Sequence, residues 1–256
     1  MTTSVEKDTQ KLYDNQAQDW SRKEPILLSD YSARPYVLSM CEPIDGLDIL
    51  DLGCGEGYVS RELKKRGATN IFGIDISEEM INRAIAEQVR QNLDGMTFKN
   101  LDVRQFDESN AKQYDLVLAM FLFNYLDVPD TQATMKKIFN WLKPGGYFVF
   151  AVPHPLLAYL KSEDYPFYFR SSGGYFSARN ELFPGEIWRR DGVAVNVQCV
   201  HKTIEDYFTC LRAAGFELIP EVRELHITEE HIKMDPGFFE PLRELPLHVA
   251  FKVKKP

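Results

Sequence analysis

The sequence predicts an α/β fold with a mostly parallel sheet, and three observations lead to it. An apolar run at 47–52 is followed by glycines at alternate positions, Gly53, Gly55 and Gly57, and then by an amphipathic helix pattern. Apolar strand runs then alternate with helical stripes up to about residue 150, which is the order typical of parallel sheets. A chain of 256 residues can bury such a core as one large domain, alone or with a cap.

The N-terminal segment is polar and helical in its pattern. We expect one helix over residues 5–22, in which Tyr13 and Trp20 share a face because they are seven residues apart. A second helix is expected over 32–40, with Pro35 near its first turn. The two aromatic side chains are either packing residues or part of a site.

The glycine turn indicates a nucleotide-binding unit. Glycines allow positive φ and close approach of the backbone to a ligand, and the next helix offers free N–H groups at its N-terminus. A dinucleotide site needs G-x-G-x-x-G, whereas here Gly57 comes one residue early and Tyr58 stands in the expected place. The chain also lacks a G-x-x-x-x-G-K-S/T phosphate loop. An ordinary strand-to-helix turn is the alternative.

The pattern Asp51-x-Gly53-x-Gly55-x-Gly57 resembles motif I of class I S-adenosylmethionine (SAM) dependent methyltransferases, of the small-molecule type found in quinone and natural-product biosynthesis. The resemblance implies a Rossmann-like seven-stranded sheet, mostly parallel with an antiparallel last strand, helices on both faces and an inserted cap. It implies SAM as cofactor, released as S-adenosylhomocysteine. The turn residues that it places at the cofactor are Asp51, Gly53, Cys54, Gly55 and Gly57.

The second predicted strand, 71–76, ends in Asp75, about twenty residues after the turn. An acidic side chain there accepts hydrogen bonds from ribose hydroxyls in NAD and SAM proteins alike, so Asp75 indicates a ribose and no particular cofactor. Ser77 suits the N-cap of the following helix. By resemblance, Met80 packs against the adenine and Ile76 also belongs to the cofactor site.

Two further strand ends extend the predicted cofactor site. After a third strand at 96–101, the resemblance implies that Asp102 accepts the adenine amino group and that the Val103 N–H meets a ring nitrogen. A fourth strand, 114–120, precedes the residues expected near the methionine part of SAM and the methyl acceptor. These are Ala119, Met120, Phe121, Asn124 and Tyr125. Tyr13 and Arg34 are further candidates for cofactor or substrate contact.

The next elements support the same family. A helix at 131–142 ends in Lys-Pro-Gly-Gly, a stop and turn before a fifth strand at 147–152. This turn is a frequent companion of motif I in small-molecule methyltransferases. The Asn/Asp/Ser-Pro-Pro-Tyr/Phe motif of enzymes that methylate amides or DNA base amines is absent after the fourth strand, which disfavours those substrates.

Residues 153–201 are rich in aromatics and have no regular period, as in a functional loop region. We expect a substrate cap here, with short strands at 166–170 and 193–200, although a small packing core explains the aromatics equally well. The cap residues expected to contact substrate, beside Asn124 and Tyr125, are Tyr168, Tyr175 and Trp188. Cap arginines either bind an acidic acceptor or pair with neighbouring carboxylates; they are Arg170, Arg179, Arg189 and Arg190.

The chain is thus expected to divide into an N-terminal helical lid (1–42), a SAM-binding core (43–152), a substrate cap (153–201) and the rest of the core (202–256). In the last part, a helix at 203–214 precedes strands at 216–222 and 247–253.

Three side chains are candidate catalytic groups, since an oxygen or nitrogen acceptor must lose a proton. His154 follows the fifth strand, and ligands bind at the carboxyl ends of parallel strands. Its position between two prolines also fits a rigid structural role. His201 is the second candidate, and Tyr125 is an acceptor-positioning group.

Composition restricts the partners. The formal net charge is −8 without a basic stripe, which argues against a nucleic-acid surface. Four cysteines form no C-x-x-C pair, so no metal site is expected. No apolar run is long enough to span a bilayer and no N-terminal signal pattern is present, so we expect a cytoplasmic monomer or homodimer.

The predicted function is methyl transfer from SAM to an oxygen, nitrogen or carbon atom of a small, aromatic or apolar metabolite. The alternatives are a SAM-binding enzyme with non-methylation chemistry, or carbon methylation of an isoprenoid-type or acidic substrate, which needs no strong base. A non-catalytic SAM-binding module is disfavoured by the large aromatic cap.

Overall fold

The computed structural model describes residues 4–20, 24–107, 113–217 and 219–256. The α-helices are α1 Ser4–Trp20, α2 Leu28–Ser32, α3 Arg34–Met40, α4 Tyr58–Lys65, α5 Glu78–Arg90, α6 Val128–Trp141, α7 Ile204–Ala214, α8 Glu229–Met234 and α9 Pro236–Phe239. The strands are β1 Asp48–Leu52, β2 Asn70–Asp75, β3 Met96–Asn100, β4 Tyr114–Met120, β5 Leu142–Pro153, β6 Phe167–Phe169, β7 Leu182–Trp188, β8 Ala194–Val200, β9 Glu221–Leu225 and β10 His248–Lys254.

Seven strands form the main sheet, in the order β3-β2-β1-β4-β5-β10-β9. The pairs among the first five are parallel, and β10 runs antiparallel to both β5 and β9. This confirms the predicted mostly parallel sheet with an antiparallel last strand. Because the carboxyl ends of β1 to β5 share one edge, the loops that follow them meet there.

Apolar clusters cover both faces of this sheet, as parallel strands require. One cluster joins β4, β5 and β10 to α6 and α7, and in it the rings of Phe150 and Phe251 stack 4.6 Å apart. The other packs α3, α4 and α5 on the opposite face, around Ile49, Leu118 and Val149. Burial on both faces explains why these strands are continuous apolar runs in the sequence.

A separate antiparallel sheet, β6-β7-β8, forms the centre of the cap. The predicted short strands correspond to β6 and β8, whereas β7 was not expected because Pro184 and Gly185 lie inside it. The helices between β9 and β10 add Ile232 and Phe239 to the apolar cluster of this sheet. The cap therefore consists of residues 153–201 together with the later segment 226–247.

Several boundaries differ from the expected ones. The second N-terminal helix is two short helices, α2 and α3, which meet at Ala33. The penultimate strand is Glu221–Leu225 instead of 216–222, because Phe216 packs with the Gly215 cap of α7 into the core. Position 218 of that prediction, and the end of the first predicted helix at 21–22, lie outside the described residues.

The termini of two helices follow the predicted capping. Ser77 Oγ accepts the Met80 N–H at the start of α5. Thr203 and Asp206 form a capping box at the start of α7, and Gly215 ends that helix with φ 109°. In the described ranges, no helix combines the length and apolar character needed to cross a bilayer.

Candidate functional site

A cavity of about 240 Å³ lies at the carboxyl edge of the main sheet, between the sheet, the N-terminal helices and the cap. Its wall contains most of the predicted site residues. Those residues are Tyr13, Arg34, Asp51, Gly53, Cys54, Gly55, Asp75, Ile76, Met80, Asp102, Val103, Met120, Asn124, Tyr125 and Trp188.

The glycine turn forms the floor of this cavity. Gly55 has φ 55°, and a Cβ built on it has no atom within 4 Å, so the backbone faces open space. Gly57 has φ 77° and does not line the cavity. A Cβ at Gly57 would lie 3.1 Å from Ala84 Cβ and Phe98 Cζ, so this glycine permits close packing of the turn instead of ligand contact.

Asp51 ends β1 as an almost fully buried carboxyl, 1% exposed. Ser60 Oγ donates to its Oδ2 at 2.5 Å, while Oδ1 has no hydrogen-bond partner among the described residues. Burial raises the pKa of Asp51 to about 6, opposed by the Ser60 hydrogen bond. A buried acceptor without a partner in a cavity wall is suited to a cationic or hydrogen-bond-donating ligand group.

Asp75 is held by two backbone hydrogen bonds. The Gly55 N–H donates to Oδ2 and the Ser77 N–H to Oδ1, each at 2.9 Å. Burial is the main cause that raises its pKa. Because a carboxylate has about four acceptor positions, Asp75 retains capacity for the two hydroxyls of a diol.

Asp102 lies in the cavity wall but is already engaged. Arg104 Nε donates to its Oδ1 at 3.0 Å and Nη2 to its Oδ2 at 2.8 Å. The Arg104 N–H also donates to Oδ1 at 2.9 Å. These bonds fix the carboxylate in the cavity wall, which Val103 and Met80 also line, while its expected contact with an adenine amino group stays a prediction.

Helix α1 reaches across the cavity to the loop after β4. The hydroxyls of Tyr13 and Tyr125 are in hydrogen-bond contact, and their rings lie 5.5 Å apart at 85°. The Tyr13 ring also lies 5.5 Å from Trp20, so the two share a face as predicted. Burial raises the pKa of Tyr125 to about 12, so it stays protonated near neutral pH.

Arg34 is a buried cation of the wall and not a surface charge, since its side chain is 11% exposed. Its Nη1 donates to Asp30 Oδ1 at 2.7 Å. The guanidinium also lies 5.5 Å from the ring centre of Phe121, a cation–π distance.

His248, at the start of β10, lines the cavity although the sequence analysis did not select it. Its Nδ1 lies 3.1 Å from Ser32 Oγ, and its ring centre 5.1 Å from that of Phe121. Burial, Arg34 and His154 lower its pKa to about 3. The available signal was topological: an antiparallel last strand beside β5 starts at the carboxyl edge, and His248 pairs with Pro153 there.

The two histidines chosen from the sequence lie outside the cavity. His154 Nε2 contacts Glu224 Oε1 at 3.2 Å, and its Nδ1 accepts the Leu156 N–H. His201 Nε2 donates to the Tyr175 carbonyl at 2.7 Å. Both line a separate crevice of about 10 Å³. Because neither histidine lines the main cavity and each directs its Nε2 at a protein group, we withdraw them as candidate bases.

Three other predicted contacts are corrected. Tyr168 is 47% exposed on the outer face of the cap, and Tyr175 packs against His201 instead of the cavity. Ala119 is fully buried in the core because its side chain points to the sheet face opposite that of Met120. None of these three lines the cavity.

The cap arginines also lie outside the cavity wall. Arg179 pairs with Asp206, Arg189 with Asp191 and Arg190 with Asp235, while Arg170 is exposed. Pairing with carboxylates was one of the two expectations for these arginines, and it holds for Arg179, Arg189 and Arg190. Across the described ranges, no group of three or more His, Cys, Asp or Glu side chains is arranged to hold a metal ion.

Comparison with known proteins supports the fold and the cofactor region. Residues 49–146 match the family model described as a methyltransferase domain. The ubiquinone biosynthesis O-methyltransferase of Acinetobacter baylyi is 30% identical over 106 residues, 41% of this chain and 43% of that protein. The malonyl-[acyl-carrier protein] O-methyltransferase of Halalkalibacterium halodurans is 33% identical over 42% of this chain and 39% of that protein. The matches thus span about half or less of these curated relatives.

Solved structures resemble the chain over most of its length. The CcbJ methyltransferase of Streptomyces caelestis has a TM-score of 0.66 and 16% identity, covering 96% of this chain and 97% of that one. A SAM-dependent methyltransferase structure from Listeria monocytogenes has a TM-score of 0.64 and 21% identity, covering 87% and 98%. At these identities the likeness establishes a shared fold. With the domain match, it confirms the resemblance to class I methyltransferases first seen in the glycine turn.

Proposed function

We propose, from the class I methyltransferase domain that residues 49–146 form, that this chain transfers a methyl group from SAM to a small, mainly apolar or aromatic molecule. One observation carries the proposal. Most of the residues predicted to hold the cofactor line the same cavity as Phe167, Phe169 and Trp188 of the cap. A donor site and an acceptor site in one enclosed space are what direct methyl transfer requires.

The residues present suit SAM. Asp75 has free acceptor capacity for the ribose diol, and the unpartnered Oδ1 of Asp51 suits the ammonium of the methionine part. Gly55 leaves space for close approach of the ligand to the backbone, and Met80 supplies an apolar contact for adenine. When bound, SAM supplies an activated methyl group on its sulfonium.

The chain itself orients the acceptor and excludes water. Helix α1 bridges the cavity through Tyr13 and bonds to the cap, where the Asn196 N–H donates to Gln16 Oε1 at 2.8 Å. The helix therefore acts as a lid in this proposal. Apolar walls favour the step because positive charge disperses as the methyl group moves. The aromatic residues that α1 and the cap contribute to these walls are Tyr13, Trp20, Phe167, Phe169 and Trp188.

Two observations favour an uncharged acceptor. The cap arginines bind carboxylates of the protein and do not line the cavity, which weakens the alternative of an acidic or diphosphate-bearing substrate. The matched relatives include an O-methyltransferase of ubiquinone biosynthesis. An apolar aromatic acceptor agrees with both.

The proposal is tested by two measurements on the full chain. Calorimetry is expected to show binding of SAM and of S-adenosylhomocysteine. Incubation with SAM and a library of small phenols, alcohols, amines and carbon acids is expected to release S-adenosylhomocysteine together with a product heavier by one methylene unit. Binding of NAD without binding of SAM would reject the proposal. Consumption of SAM without a methylated product would favour the non-methylation alternative.

A further inference from the structure

His248 occupies a special place in the wall of the cavity. It begins the one antiparallel strand of the main sheet, opposite Pro153 at the end of β5. Its neighbour Phe121 follows β4 with φ 60°, a backbone conformation that bulky residues rarely adopt and that is concentrated at functional sites. The imidazole is 6% exposed and lines the cavity.

Hydrogen bonding determines the tautomer of this imidazole. Ser32 Oγ lies 3.0 Å from the Leu28 carbonyl oxygen and 3.1 Å from His248 Nδ1. A carbonyl oxygen only accepts, so the single hydroxyl proton goes to Leu28 and the hydroxyl must accept from Nδ1–H. Nε2 therefore carries the lone pair. Among the described residues, Nε2 has no hydrogen-bond partner.

The surroundings keep the ring neutral. Arg34 on α3 faces it and is paired with Asp30 on α2. His154, at the end of β5, faces it from the sheet and is bonded to Glu224 on β9. The burial of His248 and its two neighbours, Arg34 and His154, all disfavour a second proton on the imidazole. In the resting protein the imidazole is therefore neutral, and its Nε2 lone pair is available to take a proton.

We propose that His248 Nε2 is the proton acceptor of the methyl-transfer reaction and that the acceptor substrate carries its nucleophile as a hydroxyl group. The inference rests on the proposed methyltransferase function. As the new oxygen–carbon bond forms, the O–H bond breaks and its proton moves to Nε2. The electron pair of the broken carbon–sulfur bond stays on the departing thioether, so the charge passes from the sulfonium to the imidazolium.

The preference for an oxygen nucleophile over a nitrogen nucleophile follows from the acid strength of the newly methylated group. An alcohol or phenol oxygen that gains a methyl group becomes a very strong acid, which gives its proton even to a weak base. A methylated amine is a stable ammonium near neutral pH, so its formation requires no proton acceptor in the cavity, whereas methylation of a hydroxyl group does. A carbon acceptor of the enolate type needs a stronger base.

The first test measures the tautomer directly. In ¹⁵N NMR spectra of the histidine-labelled protein, assigned with His248→Gln, we expect the Nδ1–H tautomer of His248 and no protonation down to about pH 4. Ser32→Ala is expected to shift the population towards Nε2–H. Addition of phenol to the protein loaded with S-adenosylhomocysteine is expected to shift the Nε2 resonance. An Nε2–H tautomer in the unaltered chain would overturn the proposal.

The second test is kinetic and uses hydroxyl compounds and matching amines from the library. His248→Gln is expected to lower kcat by roughly 100-fold or more with a hydroxyl acceptor, with SAM affinity unchanged. The exposed His226 provides the control, since His226→Gln should leave kcat unaltered. Turnover restricted to amines or carbon acids, or wild-type kcat in His248→Gln, would contradict the proposal. Loss of SAM binding in the unaltered chain would instead reject the methyltransferase function.

Discussion

The carboxyl groups at the carboxyl edge of the sheet differ in the acceptor atoms that they leave for a ligand, because their hydrogen bonds within the protein differ. Asp51 has an acceptor atom without a partner, Asp75 is held by two backbone N–H groups, and Asp102 is bound by Arg104. All three lie at or next to the carboxyl end of a parallel strand. Their surroundings therefore decide which of them is free to meet a ligand.

Asp75→Asn tests the ribose contact at this scale. The amide keeps the size of the side chain but loses the negative charge and one acceptor, and hydrogen bonds to a charged group contribute about 1.5–3 kcal/mol. We expect SAM affinity to fall by about tenfold or more, measured by calorimetry. The exposed Asp94 provides the matched control, since Asp94→Asn should not alter the affinity. Equal affinities of the two variants would exclude the ribose role.

At the scale of elements, the unit of β1, glycine turn and α4 is shaped by packing as well as by the ligand. Gly55 faces open space, whereas Gly57 is enclosed by Ala84 of α5 and Phe98 of β3. Helix α4 begins directly after Gly57. Because this residue has no side chain, α4, α5 and β3 can approach one another. Gly57, the third glycine of the motif, therefore supports the site through packing.

Gly57→Ala tests this assignment. Gly57 has φ 77° and Gly46 has φ 80°, so alanine is strained at both positions, but a Cβ at Gly46 meets no atom within 4 Å. Strain of this kind costs about 1–3 kcal/mol. We expect Gly57→Ala to lower the free energy of unfolding by clearly more than Gly46→Ala, in urea denaturation. Equal losses in the free energy of unfolding would show that a Cβ at position 57 does not clash with Ala84 and Phe98.

At the scale of the whole molecule, the cavity lies where three parts of the chain meet. The sheet edge supplies the carboxylates, α1 to α3 supply Tyr13 and Arg34, and the cap supplies Trp188. A segment that begins more than twenty residues after the cap sheet completes the apolar cluster of the cap with Ile232 and Phe239. Under the proposed function, we therefore expect substrate selectivity to depend on the assembled chain and not on the matched domain alone.

Buried ionisable groups at this junction make stability depend on pH. The pKa of His248 is about 3 in the folded state and near 6.5 when unfolded, so the unfolded chain binds the extra proton between these values. Stability from His248 is complete above about pH 6.5 and is lost as the pH falls, with a slope of up to about 1.4 kcal/mol per pH unit. Asp51 acts in the opposite direction, because its pKa is raised to about 6.

Urea unfolding between pH 7 and pH 4.5 measures both contributions. The unaltered chain is expected to lose stability more steeply than His248→Gln as the pH falls. Asp51→Asn should steepen the loss between about pH 6 and pH 4, since protonation of Asp51 partly offsets that of His248. Parallel curves for the unaltered chain and His248→Gln would show that the imidazole titrates alike in both states.

The amino-acid sequence by itself determined the cofactor half of this protein. The turn at Gly53 to Gly57, Asp75 and the five parallel strands are local patterns, readable because each is set by backbone conformation or periodicity within a few residues. The cavity wall opposite the glycine turn was decided only by tertiary structure. Side chains alternate between strand faces, so register and strand order exclude Ala119 and bring in His248. Tertiary structure also excludes the two histidines that were chosen from the sequence. His154 Nε2 contacts Glu224, and His201 Nε2 donates to the Tyr175 carbonyl.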